Sequence, residues 1–190
     1  MTKENILIVF DHVGGFMFMK RYLKEIQNNG NFFFFTTYEN LKYLKEFEKK
    51  KIKIITSKVS IKGVVDFIKN YNIKKLLFAT SETYNKKFNI IEPIFLKASI
   101  VTKIKSICFL DYYTNLKQRL NYPKKIRGYL KPTILFIDSE YELECKNFIK
   151  HFNNIFFIKN LEKNYISKAF YDSLFLSLNK NKKAKNIIFF

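Results

Sequence analysis

Asn5-Ile-Leu-Ile-Val-Phe10, followed by Asp11-His-Val-Gly-Gly15 and an amphipathic run from Phe16 to Ile26, decides the fold: strand, glycine turn, helix. An unbroken apolar run from Ile6 to Phe10 suits a strand buried on both faces, as in a parallel sheet. Phe16, Met19, Leu23 and Ile26 then fall on one helical stripe. Gly14 and Gly15 permit positive φ and a close backbone approach to a phosphate or sugar, and the helix N-terminus behind them presents N–H groups to an anion.

Working outward, the alternation persists. Phe32-Phe-Phe-Phe35 reads as a second strand, and Leu41, Leu44 and Phe47 mark a helix opened by a Thr36-Thr-Tyr-Glu39 capping box. Ile52-Lys-Ile-Ile-Thr56 is a third strand, and Ile61, Val64, Val65 and Ile68 recur with the helical period. Leu76-Leu-Phe-Ala79 gives a fourth strand; Ile91, Ile94, Phe95 and Ala98 give a helix; Ser106-Ile-Cys-Phe-Leu110 gives a fifth strand that ends at Asp111. Residues 112–131 lack a clean period and read as a long loop with a short helix, a kind of segment that often carries function. Thr133-Ile-Leu-Phe-Ile137 resumes the sheet. Ser139-Glu-Tyr-Glu142 then reads as a capping box, with Ser139 as N-cap of a helix through Cys145, Phe148, Ile149 and Phe152. Ile155-Phe-Phe-Ile158 is a seventh strand, Ile166, Phe170, Leu174 and Leu178 mark a further helix, and Asn186-Ile-Ile-Phe-Phe190 reads as another strand. The expectation is an α/β fold: a doubly wound, mostly parallel sheet with helices on both faces, Rossmann-like, with ligands at the C-terminal ends of the strands. Residues 1–178 form the expected domain.

A chain of 190 residues can bury such a core without disulfides or metal. The net charge of +19 would suggest a polyanionic partner, yet of the 35 basic residues only Arg21, Arg119 and Arg127 are arginines, and lysines are spread along the whole chain. Abundant Lys, Asn, Ile and Phe with no Trp look like the product of an AT-rich coding sequence, so nucleic acid is not the expected partner. Peripheral membrane contact stays open, because an exposed lysine gains about 1 kcal/mol close to an anionic leaflet. No apolar run approaches the roughly 18 residues of a transmembrane helix, and the opening one stops at Asp11, too short for a signal-peptide core. Cys108 and Cys145 fall in an apparent core strand and on an apolar helix face, with no pairing logic. The expectation is a reduced, cytoplasmic protein.

Ser106-Ile-Cys-Phe-Leu-Asp-Tyr-Tyr-Thr-Asn115 followed by Arg119 resembles an S-x-x-x-L-D-[HY]-[WY]-x-N-x-x-x-R pattern of the N-terminal halves of GT-B-like bacterial proteins. These are glycosyltransferase and UDP-N-acetylglucosamine 2-epimerase relatives from surface-polysaccharide loci. The Gly14-Gly15 turn, Ala79-Thr-Ser81 and Ile137-Asp-Ser-Glu140 agree with it, each after a strand. The resemblance spans most of residues 5–160 and is specific only around Asp111. It implies the first of two Rossmann-like domains, holding the acceptor, while the second holds the donor nucleotide sugar. Lys183-Ala-Lys-Asn-Ile-Ile-Phe-Phe190 is similar to the opening strand of that second half, so residues 179–190 are expected to be a linker and first strand of a further domain, or an added strand. Lys159-Asn-Leu161 stands where the family tends to have a Gly-x-Pro turn. The implied function is acceptor binding in cell-surface glycan synthesis, inactive alone, completed by a second GT-B half or a homo-oligomer.

The candidate chemistry lies at the strand tips. His12 is a candidate general base or a bystander of the turn. Asp111 can orient a sugar hydroxyl, and Arg119 can grip phosphate or carboxylate; equally, the two can form a structural pair that pins the long loop. Tyr112 and Tyr113 are sugar-stacking platforms or loop anchors, and Asn115 belongs to the same stretch. Ser81, Glu82, Asp138 and Glu140 would line the same sheet edge, and Glu92 either faces the cleft or is an acid in a first helical turn. The carboxylates lack metal-ligand spacing with a histidine, so neither a metal nor a bound cofactor is expected. The competing reading is a non-catalytic α/β binding module, flavodoxin-like or docking a partner through its basic surface. A response-regulator receiver would need an acidic cluster where this chain has only Asp11.

Overall fold

Strands β1 (Glu4–Val9), β2 (Gly30–Thr36), β3 (Lys50–Ile54), β4 (Lys75–Ala79), β5 (Lys105–Leu110), β6 (Ile134–Asp138) and β7 (Ile155–Ile158) form one sheet in the order β3-β2-β1-β4-β5-β6-β7. Every neighbouring pair is parallel, so among the described residues the expected mostly parallel sheet is wholly parallel. The structure is a computed structural model and describes residues 3–45, 47, 50–54, 59–80, 91–111, 119–120 and 129–158. Helices α1 (Val13–Ile26), α2 (Ile61–Asn70), α3 (Ile91–Thr102) and α4 (Glu142–Ile149) alternate with the strands.

The apolar runs bury both faces of the sheet because alternate side chains point to opposite sides. Ile6, Ile8, Phe32, Phe34, Leu77, Ala79, Ile107, Phe109 and Phe136 pack with Phe16, Met19 and Leu23 of α1. Leu7, Val9, Phe33, Leu76, Phe78, Cys108, Leu110 and Leu135 pack with Val64 and Ile68 of α2, Ile94, Phe95 and Ala98 of α3, and Cys145 and Phe148 of α4. The phenylalanine run of β2 is therefore core on both sides, as its pattern predicts.

Three local expectations are corrected. Leu41, Leu44 and Phe47 belong to a tighter element, a 3₁₀ segment at Tyr38–Leu44 with Phe47 buried just beyond it. Their three-residue spacing is the 3₁₀ period rather than the α period. The proposed capping box there does not form: Thr36 ends β2, Thr37 makes no side-chain cap bond, and both hydroxyls instead accept from Asn40 Nδ2 at 3.1 and 3.0 Å. Ser139 is not the N-cap of α4 either. It opens a 3₁₀ turn at Ser139–Tyr141, and α4 starts only at Glu142 behind Tyr141, which makes no side-chain cap bond. Side-chain caps do form at α1 and α2, from His12 and Ser60. The expected helix at 166–178 and strand at 186–190 lie outside the described residues, as does most of 112–131.

Candidate functional site

The strand order reverses between β1 and β4, and the helices that follow these strands, α1 and α3, pack on opposite faces of the sheet, the arrangement that opens a crevice at the C-terminal edge of such folds. The β1–α1 turn occupies it. Asp11 is held there through its backbone: its N–H donates to Glu92 Oε1 at 3.3 Å, and its C=O accepts from Asn40 Nδ2 at 2.7 Å. Glu92 is 1 % exposed and Asn40 5 %, so both clamps come from the interior. Glu92 thus sits in the first turn of α3 and reaches the crevice as well.

His12 follows with extended backbone, and its Nδ1 accepts from the Gly14 N–H at 3.3 Å, capping α1. Gly14 and Gly15 are in the first turn of the helix and need no positive φ; they are glycine for space. A Cβ on Gly14 would lie 3.1 Å from Asp111 Oδ2 and 3.4 Å from His12 Nδ1, so the missing methyl leaves the space in which the imidazole and the carboxylate converge. A Cβ on Gly15 would meet the Ala79 methyl at 2.7 Å and the Thr80 carbonyl at 3.1 Å, so the second glycine seats α1 against the end of β4.

Asp111 leaves the end of β5. Its Oδ1 accepts from Arg119 Nη1 at 3.2 Å, and the same nitrogen donates to Thr80 Oγ1 at 2.9 Å. The Arg119 side chain is 4 % exposed against 21 % for Asp111, so the guanidinium is interior and the carboxylate is its outward end. Burial pushes the Asp111 carboxyl above the ordinary carboxylate range, and the Arg119 charge and hydrogen bond offset this only in part. Burial likewise pushes the Cys108 thiol, three residues back along β5, well above its usual range despite the pull of Arg119.

A cavity of about 400 Å³ opens from this point along α1. Gly14, Met17, Phe18, Lys20, Arg21 and Lys24 line its helix side, and Asp111 and Asp138 its strand side. The structure therefore brings His12, Gly14, Gly15, Asp111 and Arg119 together and puts Asp138 on the same cavity. Ser81, Glu82, Tyr112, Tyr113 and Asn115 lie outside the described residues, and for Glu140 only the backbone position, in the turn before α4, is described. His151 is remote, exposed beside the Tyr129 ring.

Sequence reasoning missed Asn40, Met17 and the basic residues of α1 as parts of this edge. A signal existed for the last group: Gly14, Met17, Arg21 and Lys24 recur at i, i+3, i+7 and i+10, a second stripe beside the buried one. Among the described residues, no three His, Cys, Asp or Glu side chains are grouped to hold a metal ion. No helix among them is long and apolar enough to cross a membrane.

No protein-family model matches the chain, and no curated protein is significantly similar to it in sequence. Among solved structures it resembles a UDP-glucosyltransferase from Polygonum tinctorium capable of glucosylating indoxyl, solved with 3,4-dichloroaniline. The TM-score is 0.53 at 8 % identity, over 86 % of this chain and 54 % of that one. This chain thus spans about half the length of that enzyme. Overlap is weaker with a short chain dehydrogenase/reductase family oxidoreductase from Burkholderia thailandensis, at TM-score 0.39, 6 % identity, 94 % of this chain and 76 % of the other. It is weaker again with a UDP-N-acetylglucosamine 4-epimerase from Methanobrevibacter ruminantium M1 in complex with UDP-N-acetylmuramic acid, at TM-score 0.30, 12 % identity, 58 % of this chain and 55 % of the other. At these identities the likeness is one of fold: a Rossmann-like, doubly wound α/β layer.

Proposed function

We propose that this chain is the acceptor-binding, N-terminal half of a GT-B-type, sugar-nucleotide-dependent glycosyltransferase of cell-surface glycan synthesis, with His12 and Asp111 at its chemical centre. The observation that carries the reading is the convergence of His12 Nδ1 and Asp111 Oδ2 on one point, 3.4 and 3.1 Å from where a Gly14 Cβ would stand, beside the strand-order reversal. The fold shared with a UDP-glucosyltransferase and the motif around Asp111 support it.

The chemistry follows from the imidazole. While Nδ1 accepts from Gly14 N–H, a neutral ring carries its proton on Nε2 and can only donate there. That bond is long and exposed, so reorienting the ring toward Asp111 costs little. With Nδ1–H donating to the carboxylate, Nε2 becomes a base. It takes the proton of an acceptor hydroxyl as the hydroxyl oxygen attacks the anomeric carbon of a nucleotide sugar and the nucleoside diphosphate leaves. Asp111 stabilises the imidazolium, and Arg119 and Thr80 act as positioning residues that hold Asp111. The donor belongs to a second half or partner chain, so this chain alone binds acceptor and turns nothing over.

Thermal unfolding of the purified chain against saccharide acceptors and against UDP-, GDP- and CDP-sugars tests the reading. A ligand at 100-fold over its Kd adds about 2.7 kcal/mol, which at roughly 2–4 °C per kcal/mol is a rise of about 5–10 °C. The expected pattern is a rise with an acceptor, lost in His12→Ala and Asp111→Asn, and none with nucleotide sugars. A nucleotide sugar that stabilises while every acceptor fails would overturn it and point to a donor site or a binding module.

A further inference from the structure

We propose that the cavity along α1 binds a phosphate carried by the acceptor, so that the ligand is a phosphorylated sugar with its hydroxyl end at His12 and Asp111 and its phosphate at Lys20, Arg21 and Lys24. This rests on the acceptor reading and deepens it.

The cavity is graded along its length. Its acids, Asp111 and Asp138, stand at strand ends, and its bases stand on the helix. With a rise of about 1.5 Å per residue, Arg21 lies about 10 Å and Lys24 about 15 Å along the axis from Gly14. An anion placed at the Gly14 end would meet the Asp111 carboxylate, whereas one placed two turns on meets three cations. A neutral hydroxyl, by contrast, is well served by the carboxylate end. Between the two ends lie Met17, 45 % exposed, and Phe18, whose ring is fixed edge-on to Phe109. They offer apolar surface to the carbon face of a sugar ring. A volume of about 400 Å³ suits a small ligand rather than a long glycan. Arg21 can hold phosphate through two parallel N–H bonds and the lysines through point charge. The phosphate has two sources, a soluble sugar phosphate or a glycan on a lipid phosphate, and the same residues would read either.

The test is titration of the 190-residue chain with glucose 1-phosphate, free glucose and inorganic phosphate at fixed salt, followed by the Met17 methyl resonance and Gly14 amide. Glucose 1-phosphate is expected to bind tighter than either fragment and to lose roughly tenfold or more in an Arg21→Gln/Lys24→Gln double variant that keeps the parent's far-UV circular dichroism spectrum. Sedimentation with phosphatidylcholine vesicles containing phosphatidylglycerol separates the sources. Binding that needs Arg21 and Lys24 and is competed by glucose 1-phosphate marks a lipid-borne phosphate; soluble binding without sedimentation marks a free one. Inorganic phosphate binding as tightly as the sugar phosphate, or a double variant that binds like the parent, overturns the inference. Failure of the acceptor reading is distinct: it appears as indifference of every sugar to His12→Ala and Asp111→Asn, whatever the basic residues do.

Discussion

Gly15→Ala tests whether the site depends on how closely α1 is seated. The new methyl would lie 2.7 Å from Ala79 Cβ and 3.1 Å from the Thr80 carbonyl. Carbon atoms rest about 3.5–4.0 Å apart, so the overlap is about 1 Å. Neither neighbour can swing aside, one being a strand methyl and the other backbone. The N-terminus of α1 must therefore lift, and overpacking of this kind costs about 1–3 kcal/mol. Alanine recovers up to about 1 kcal/mol of helix propensity, leaving a net loss of about 1–2 kcal/mol. At roughly 2–4 °C per kcal/mol the midpoint falls about 2–8 °C. The specific check is a double-mutant cycle with Ala79→Gly, read by urea and thermal unfolding. Ala79→Gly alone should cost about 1 kcal/mol as a glycine in a strand. The double variant should lie close to that single variant, because the methyl moves from one side of the contact to the other, giving a coupling of about 1 kcal/mol or more. Additivity within about 0.3 kcal/mol, or a Gly15→Ala variant more stable than the parent, would refute the close-seating argument.

Asn40→Ala removes the donor to the Asp11 carbonyl and to two threonine hydroxyls. It is expected to cost about 1–3 kcal/mol and to speed amide exchange in the β1–α1 turn selectively over α2; uniform or absent acceleration would count against the clamp. Arg119→Met leaves Asp111 without its cation. The raised Asp111 pKa means that the native state holds its proton more tightly than the unfolded chain, so stability falls as pH rises from the ordinary carboxylate value through the raised one, and is level above. Losing Arg119 raises that pKa further. The variant should then lose about 3 kcal/mol or more at pH 7 and clearly less at pH 4, as urea unfolding at both values will report; equal losses would show that the pair is not electrostatic. Cys108 and Cys145 are buried, with Cys145 pushed up to about 11, so both thiols should resist a thiol reagent at pH 8 in the native state and react together on unfolding. Rapid native labelling of either would contradict the core assignment.

The strands other than β3 were legible because each is built on an apolar run whose alternate residues serve two helix layers, a demand that few other sequences meet. Where the reading failed, local propensity met a tertiary competitor. Thr36 and Thr37 look like a cap because hydroxyls before a helix usually bond its first N–H groups. Here the Asn40 amide takes both hydroxyls and uses them to aim itself at Asp11. Leu41, Leu44 and Phe47 carried the correct apolar face but too short a period for an α-helix, and the period was the better guide.

The site divides along the same line. His12, Gly14, Gly15 and Asp111 could be read directly, because each stands at the end of a strand whose position was already known. Their supports could be read only in part: the Asp111–Arg119 pair and a cleft-facing Glu92 were among the expectations, but Asn40 and the atoms these side chains grip were not. Asn40 and Glu92 grip the Asp11 peptide from 29 and 81 residues away, and Arg119 reaches Thr80 across 39. Asn40 is unremarkable in its own segment, and for Glu92 and Arg119 the segment alone does not say which group each reaches. The sheet order makes them neighbours by bringing β1, β4 and β5 side by side, so that the ends of three distant segments share one edge. A buried carboxylate and a buried amide holding the N–H and the C=O of one residue are costly unless both are satisfied. Their joint satisfaction at Asp11 fixes the residue just before His12. Precision at the imidazole therefore originates in Asn40 and Glu92, and disturbing either should loosen His12 without touching it.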